Sequence, residues 1–205
     1  MTLVNSDKNV PGWKKSTHFL NNNKNVFIEK GLDDTGDLLV QKNLEYCHLK
    51  YKGSMDLITG DGGFDFSIDF NKQEQMSYQL IFCEIISALA VQKIGGSFVC
   101  KFFDTYSMLT IKFLWLLNVC YESVIFTKPL TSRSANSEKY VVAYKFRGID
   151  EFYLQQLFWV VDQWNYIDKN TFVTDIFDYQ IPNNYYQIIN NYNNYMILSQ
   201  TYNII

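Results

Sequence analysis

From Gln73 to Lys93, apolar residues recur at Met76, Leu80, Ile81, Cys83, Ile85, Ala88 and Leu89, and Gly95-Gly96 follows almost at once. Spacings of three and four residues put these side chains on one face of a helix, and the glycine pair reads as its stop. Ser97 to Phe103 is rich in β-formers and predicts a strand, Met108 to Val119 a second apolar helix, and Ser123 to Thr127 and Tyr140 to Phe146 two more strands. Met55 to Thr59 precedes the long helix as a buried strand that ends in Gly60-Asp61-Gly62-Gly63. Strands alternating with helices leave one class of fold open, an α/β domain built on a mostly parallel, doubly wound sheet. The last two strands are joined by about a dozen polar residues without helical pattern, as in an antiparallel edge pair.

The flanks are less regular. Pro11-Gly12 is a turn signal, Asn21-Asn22-Asn23 a loop, and Val26-Phe27-Ile28-Glu29 a short strand, followed by a loop from Lys30 to Asp37 whose glycines and carboxylates suit tight turns. Ile149 to Tyr166 reads as a helix with exposed aromatics. Beyond it the chain turns rich in Tyr and Asn, with no charged residue after Asp178; Tyr179 to Ile205 packs on the domain, stays loosely ordered, or binds a partner. Residues 1–166 are expected to form one domain and 167–205 an extension.

With 205 residues, 47% of them hydrophobic, the chain can bury one sizeable core. Its net charge of -3 excludes binding nucleic acid through a broad positive surface, so any such site must be local. No apolar run approaches the roughly 20 residues that span a bilayer, and Met1 to Lys8 lacks the regions of a signal peptide. An intracellular protein, cytoplasmic or nuclear, is expected. Cys47, Cys83, Cys100 and Cys120 show no C-x-x-C spacing and read as buried thiols, and His18 and His48 are too few and too far apart to complete a metal site with them. Abundant Asn, Tyr, Phe, Ile and Lys with little Pro or Gly is the bias of an AT-rich coding sequence, which points to a viral or protist source.

Ligands bind open α/β sheets at the carboxyl ends of the strands. Three polar residues fall there: Asp61 after the Met55 strand, Lys101 at the end of the next, and Glu138 in the segment from Lys128 to Tyr140. Taken singly, Asp61 is a turn former, Gly95-Gly96 a helix cap, Lys101 a strand end that snorkels, and Glu138 a surface charge. Taken together, in order and spacing, they resemble the last three members of the Lys, Asp, Lys, Glu tetrad of the FtsJ-like ribose 2'-O-methyltransferases. The stretches Asp61-Gly62-Gly63-Phe64, Gly95-Gly96-Ser97-Phe98-Val99-Cys100-Lys101-Phe102-Phe103-Asp104 and Lys128-Pro129-Leu130-Thr131-Ser132-Arg133-Ser134-Ala135-Asn136-Ser137-Glu138-Lys139-Tyr140 look most like the enzymes that methylate mRNA caps. The likeness extends upstream to Gly36-Asp37-Leu38 and to Met1-Thr2-Leu3, which resembles the end of a second strand, and covers most of the chain to about Tyr166.

The resemblance implies a Rossmann-like sheet that binds S-adenosylmethionine and acts on RNA, capped mRNA foremost. A ribose hydroxyl is a poor nucleophile that must be aligned with the sulfonium methyl and relieved of its proton. Lys101 would be the base, with Asp61 and Glu138 orienting amine and hydroxyl. Asp37 and Leu38 match positions that hold the adenine, though Asp37 also suits a turn carboxylate. Asn71, Gln73 and Asn136 match positions near the RNA, and Arg133 suits a phosphate because guanidinium binds it bidentately.

The family's first lysine and its glycine-rich cofactor loop have no counterpart here. Gly12-Trp13 follows a proline, but no strand precedes it and no helical pattern follows. The resemblance therefore implies a sheet lacking its first strand and most of its second, with a gap of about 10 Å between the Val26 and Met55 strands. An open, apolar edge on the Met55 strand is expected, and with it a requirement for an upstream segment or partner chain. Without a second lysine, little methyl transfer by this chain alone is expected. The competing reading is a non-catalytic remnant that binds RNA or a partner through the Lys128 to Glu138 loop and the Tyr-rich tail.

Overall fold

The computed structural model describes residues 1, 3, 13–63, 72–133, 135–168 and 171–204, without the side chains of 14, 15 and 204. A single 3-10 turn leads into α1 (Thr17–Asn22), so a helix does follow Trp13, and Asn21 and Asn22 end it where a loop was expected. Asn23 caps that helix, its amide donating to Phe19 O at 2.8 Å. Pro11, Gly12 and Thr2 lie outside the described residues. An unforeseen helix, α2 (Gln41–Tyr51), comes next, its inward face made by Leu44, Cys47, His48 and Tyr51. Val26 to Glu29 is not a strand. It has no strand beside it among the described residues, and Glu29 turns instead to α2, binding Lys50 Nζ at 2.8 Å and the Tyr51 hydroxyl.

β1 (Met55–Gly60) leads to α3 (Gln73–Met76) and α4 (Tyr78–Val91), the single helix expected there being broken at Ser77. The Ser77 hydroxyl donates to Glu74 O at 2.9 Å, competing with the helical ladder. β2 (Gln92–Phe102) begins at once, so Gly95-Gly96 lies inside a strand and not at a helix stop. The pair is needed there because the β1–β2 register slips between Met55↔Gln92 and Leu57↔Ser97. Gly95 takes φ +84°, and a Cβ on Gly96 would lie 2.9 Å from Asp56 O.

α5 (Met108–Cys120) is capped by Ser107, whose Oγ accepts from Thr110 N at 3.2 Å. β3 (Tyr121–Thr127), β4 (Lys139–Phe146), α6 (Glu151–Trp164) and α7 (Asn183–Ile204) complete the order. Asp150 caps α6 by accepting from Phe152 N at 2.8 Å. The tail is thus helical, with Tyr185 edge-on to Trp115 (4.8 Å between centroids) and Tyr192 stacked on Phe126 (4.2 Å).

The four strands run β1-β2-β4-β3, with β1 parallel to β2 and β4 antiparallel to both its neighbours. β1, β2 and β3 therefore point one way and β4 the other, inserted one place in from the edge because its short connection from β3 can only reverse the chain. One face of the sheet is sealed: the paired residues Phe98 and Ala143, Cys100 and Val141, Phe102 and Lys139 are all buried. On the opposite face Ser97, Val99, Lys101, Tyr140 and Val142 are only half-buried and Tyr144 is exposed. β1 is an edge strand among the described residues, and its Leu57 is 63% exposed. Sheets with parallel strands are ordinarily covered on both faces. All four cysteines are buried and in no disulfide, and no described helix is long and apolar enough to cross a membrane.

Candidate active site

The carboxyl ends of β1 and β2 and the start of β4 lie at one end of the sheet, because Gly60 is in register with Cys100 and Lys101 with Tyr140. That register brings Asp61, Lys101 and Tyr140 together on the less covered face. Lys101 Nζ stands 2.9 Å from Asp61 Oδ1 and donates to Asp61 O at 3.2 Å, while the Tyr140 hydroxyl donates to the same Oδ1 at 3.3 Å. The lysine is largely withdrawn, its side chain 14% exposed, whereas Asp61 is 67% exposed. The amine also lies 5.9 Å from the Phe103 ring centroid. Burial pushes the Tyr140 hydroxyl up, and the charges of Asp61 and Glu138 add to that.

Behind this cluster stands a buried acid that no motif announced. Glu84 on α4 accepts from Gly62 N at 2.7 Å and from the Cys100 thiol at 3.5 Å. Burial raises its carboxyl above the ordinary range, opposed by the Gly62 hydrogen bond. Its carboxylate explains the glycines of the loop: a Cβ on Gly62 would fall 2.7 Å from Glu84 Oε1, and one on Gly60 3.0 Å from its Cδ. A Cβ on Gly63 would lie 3.4 Å from Lys101 Nζ, so that position leaves the amine approachable.

The segment from Lys128 to Glu138 is closed by its first residue. Lys128 Nζ donates to Asn136 O (2.9 Å), Asn136 Oδ1 (2.7 Å) and Glu138 O (2.7 Å), tying both ends of the loop together. Glu138 Oε1 accepts from Ser132 Oγ at 3.3 Å, and Gln73 Oε1 from Ser137 Oγ at 3.3 Å. Gln73, Arg133, Asn136 and Glu138 thereby border one hollow of about 440 Å³ together with Phe103. Phe103, which lies under the Lys101 amine, links that hollow to the Asp61–Lys101 pair. Lys139, next to Glu138, faces the opposite way into the sealed side of the sheet and is 2% exposed.

Asp37 and Leu38 lie in the turn before α2, where Asp37 Oδ1 accepts from Leu39 N at 2.8 Å and Asp37 O from Asn43 Nδ2 at 3.0 Å. Asp37 thus caps its turn through Oδ1, while the buried Asn43 holds its backbone carbonyl. Asn71 and Phe64 lie outside the described residues. The donor set at the end of β1 suits a cationic methyl donor: an exposed carboxylate on Asp61 beside two glycines.

A layered α/β sheet with its polar cluster at the strands' carboxyl ends has the arrangement of a Rossmann-like domain. The chain belongs to the FtsJ-like methyltransferase family, which matches residues 8–146. Among curated proteins it is 38% identical over 130 residues to the cap-specific mRNA (nucleoside-2'-O-)-methyltransferase 1 of Bos taurus, 60% of this chain and 15% of that protein. The protein of the same name from Danio rerio is 31% identical over 174 residues, 76% of this chain and 21% of that one. The cap-specific mRNA (nucleoside-2'-O-)-methyltransferase 2 of Drosophila melanogaster is 36% identical over 122 residues, 58% and 17% respectively. The chain thus spans 15 to 21% of the length of these relatives. A solved ribosomal RNA methyltransferase, putative, from Plasmodium falciparum aligns at 22% identity and TM-score 0.39 over 49% of this chain and 50% of that one, a likeness too partial to define the fold.

Proposed function

We propose that this chain carries the methyl-transfer site of an RNA ribose 2'-O-methyltransferase acting on capped mRNA, with Lys101 as general base and Asp61 and Glu138 as orienting carboxylates. The observation that carries the reading is the Lys101–Asp61 pair at 2.9 Å, presented at the ends of two adjacent parallel strands. The family match and the names of the curated relatives support the chemistry and the capped substrate.

S-adenosylmethionine, when bound, supplies a methyl group on a positively charged sulfur. Asp61 and the side-chain-free backbone of Gly62 and Gly63 would face it, with Asp37 and Leu38 toward the adenine. Lys101 Nζ, as the neutral amine, would take the proton of the ribose 2'-hydroxyl, and bound S-adenosylmethionine would supply the methyl group to that oxygen. Asp61 fixes the amine through its carboxylate and its carbonyl, which leaves one of the three amine positions for the hydroxyl. Arg133 would hold a phosphate, and Asn71, Gln73 and Asn136 would line the path of the RNA. The half-exposed sheet face and the single neighbour of β1 among the described residues support completion of the site by a further segment or a partner chain.

The protein isolated from its source with its partners retained should place ribose 2'-O-methyl groups on capped RNA, read by mass spectrometry of the digested nucleosides. Lys101→Met in the same setting should abolish the product. No ribose methylation by the wild type, or an undiminished rate in Lys101→Met, would overturn the reading. Retained RNA binding without calorimetric binding of S-adenosylmethionine would favour a non-catalytic binding module.

A further inference from the structure

α7 has no charged side chain, yet it carries two amide side chains that leave the helix and reach loops of the site. Asn193 is 4% exposed and pairs with Thr105, itself fully buried: Asn193 Nδ2 donates to Thr105 O at 2.8 Å, and the Thr105 hydroxyl donates to Asn193 Oδ1 at 2.5 Å. Gln200, two turns further on and on the same face, donates from Nε2 to Asn136 O at 2.9 Å. Tyr192, beside Asn193, stacks on Phe126 and sets its ring 5.8 Å from Lys139 Nζ.

These contacts fall on the two segments that frame the hollow. Thr105 follows Phe103 in the loop after β2, and Asn136 stands two residues before Glu138. A carbonyl oxygen can accept two hydrogen bonds, and that of Asn136 receives one from Lys128 within the loop and one from Gln200 outside it. Lys128 closes the loop on itself; Gln200 ties the closed loop to the body of the protein. A buried amide such as Asn193 is costly unless both its groups are satisfied, and here both are met by one residue, which fixes how α7 sits along the sheet.

We infer that α7 is a positioning clamp for the site: Gln200 and Asn193 hold the loops bearing Glu138 and Phe103 in register with the Lys101–Asp61 pair. The clamp lies beyond residue 146, where the family match ends. Its kinetic consequence rests on the function proposed above; its structural part does not.

Hydrogen–deuterium exchange of the whole chain tests the structural part. In Gln200→Met the peptide covering 128–138 should exchange about fivefold faster while β2 and α4 keep their protection, since one neutral hydrogen bond is lost. Gln200→Lys, which keeps a donor of sufficient reach, should restore the protection. Unchanged exchange of that peptide, or faster exchange throughout the sheet, would overturn the clamp. In methyl-transfer assays of the native protein, Gln200→Met should raise KM for RNA roughly three- to fivefold, because the loosened loop carries Arg133 and Asn136, and should lower kcat severalfold, because it also carries Glu138. A fall in apparent kcat in proportion to the folded fraction, with KM unchanged, would reduce α7 to a purely structural helix. A wild type that methylates nothing would defeat the proposed function, and the exchange measurement would still decide the clamp.

Discussion

Lys101 Nζ and Asp61 Oδ1 meet at 2.9 Å across 40 residues of chain because each ends one of two adjacent parallel strands. The lysine stem is withdrawn into the sheet and the aspartate stands in solvent, so the pair is held from the lysine side. Asp61 contributes two acceptors to one amine, and only the carboxylate depends on the side chain's charge. Asp61→Asn should therefore leave the lysine tethered by the backbone carbonyl and lower the methyl-transfer rate about 10- to 100-fold, the worth of a charge-assisted hydrogen bond. A single-turnover assay at saturating substrates reads it; an unchanged rate would remove Asp61 from the orienting role.

Glu84 makes stability depend on pH. Burial raises its carboxyl above the ordinary 4.5, so the folded protein keeps this proton to higher pH than the unfolded chain does. The stabilisation from that proton is complete below 4.5 and is lost as pH rises through the raised value. Glu84→Gln can still accept from Gly62 N and carries no charge. It should unfold at higher temperature than wild type at pH 8, with the difference shrinking to nothing below about pH 4.5, when melting curves of the two are compared across pH.

Lys139 acts with the opposite dependence. Burial under α7 lowers its ammonium from 10.5 to about 8, against the pull of Asp104 and Glu74. Between 10.5 and about 8 the unfolded chain gains a proton that the folded one does not, so stability falls as pH drops through that window and is constant below it. Lys139→Met should be more stable than wild type by on the order of 3 kcal/mol at pH 7. That gain should vanish above about pH 10.5 in parallel denaturant titrations. The charges that face it are Asp104 in the loop after β2, Glu74 on α3, and Lys128 at the start of the loop that ends at Glu138.

Gly62→Ala should lower stability by about 1 to 3 kcal/mol. The new methyl would press on Glu84 Oε1 and on Leu80 Cδ2, the latter at 2.8 Å, and displacing the carboxylate breaks its bond to Gly62 N. Combining it with Glu84→Ala, which removes the obstructing carboxylate, should recover part of the loss in a double-mutant cycle.

The alternation of strand and helix from Met55 to Phe146, with Asp61, Lys101 and Glu138 at the right ends of their segments, was legible in the sequence because it rests on local periodicity and on turn chemistry. So was the antiparallel strand, since the connection before it is too short and polar to cross back over the sheet. α2 was less visible: its inward residues include Cys47 and His48 among lysines and asparagines, so its hydrophobic contrast is weak. Gly95-Gly96 carries the same local signal whether it ends a helix or opens a bulge, and only the neighbouring strand decides.

Other features were settled only by tertiary structure. Val26 to Glu29 has strand-forming residues but no strand beside it among the described residues, and pairing is a property of two segments. Glu84, Asn193 and Gln200 bear on the site through contacts with residues distant in the chain, to which no spacing rule applies. Sequence alone determined which groups stand at the strand ends, because the chain's own periodicity places them there. Packing decided which of those groups meet, which face of the sheet stays half-open, and that a tail without charge folds back as a helix onto the loops of the site.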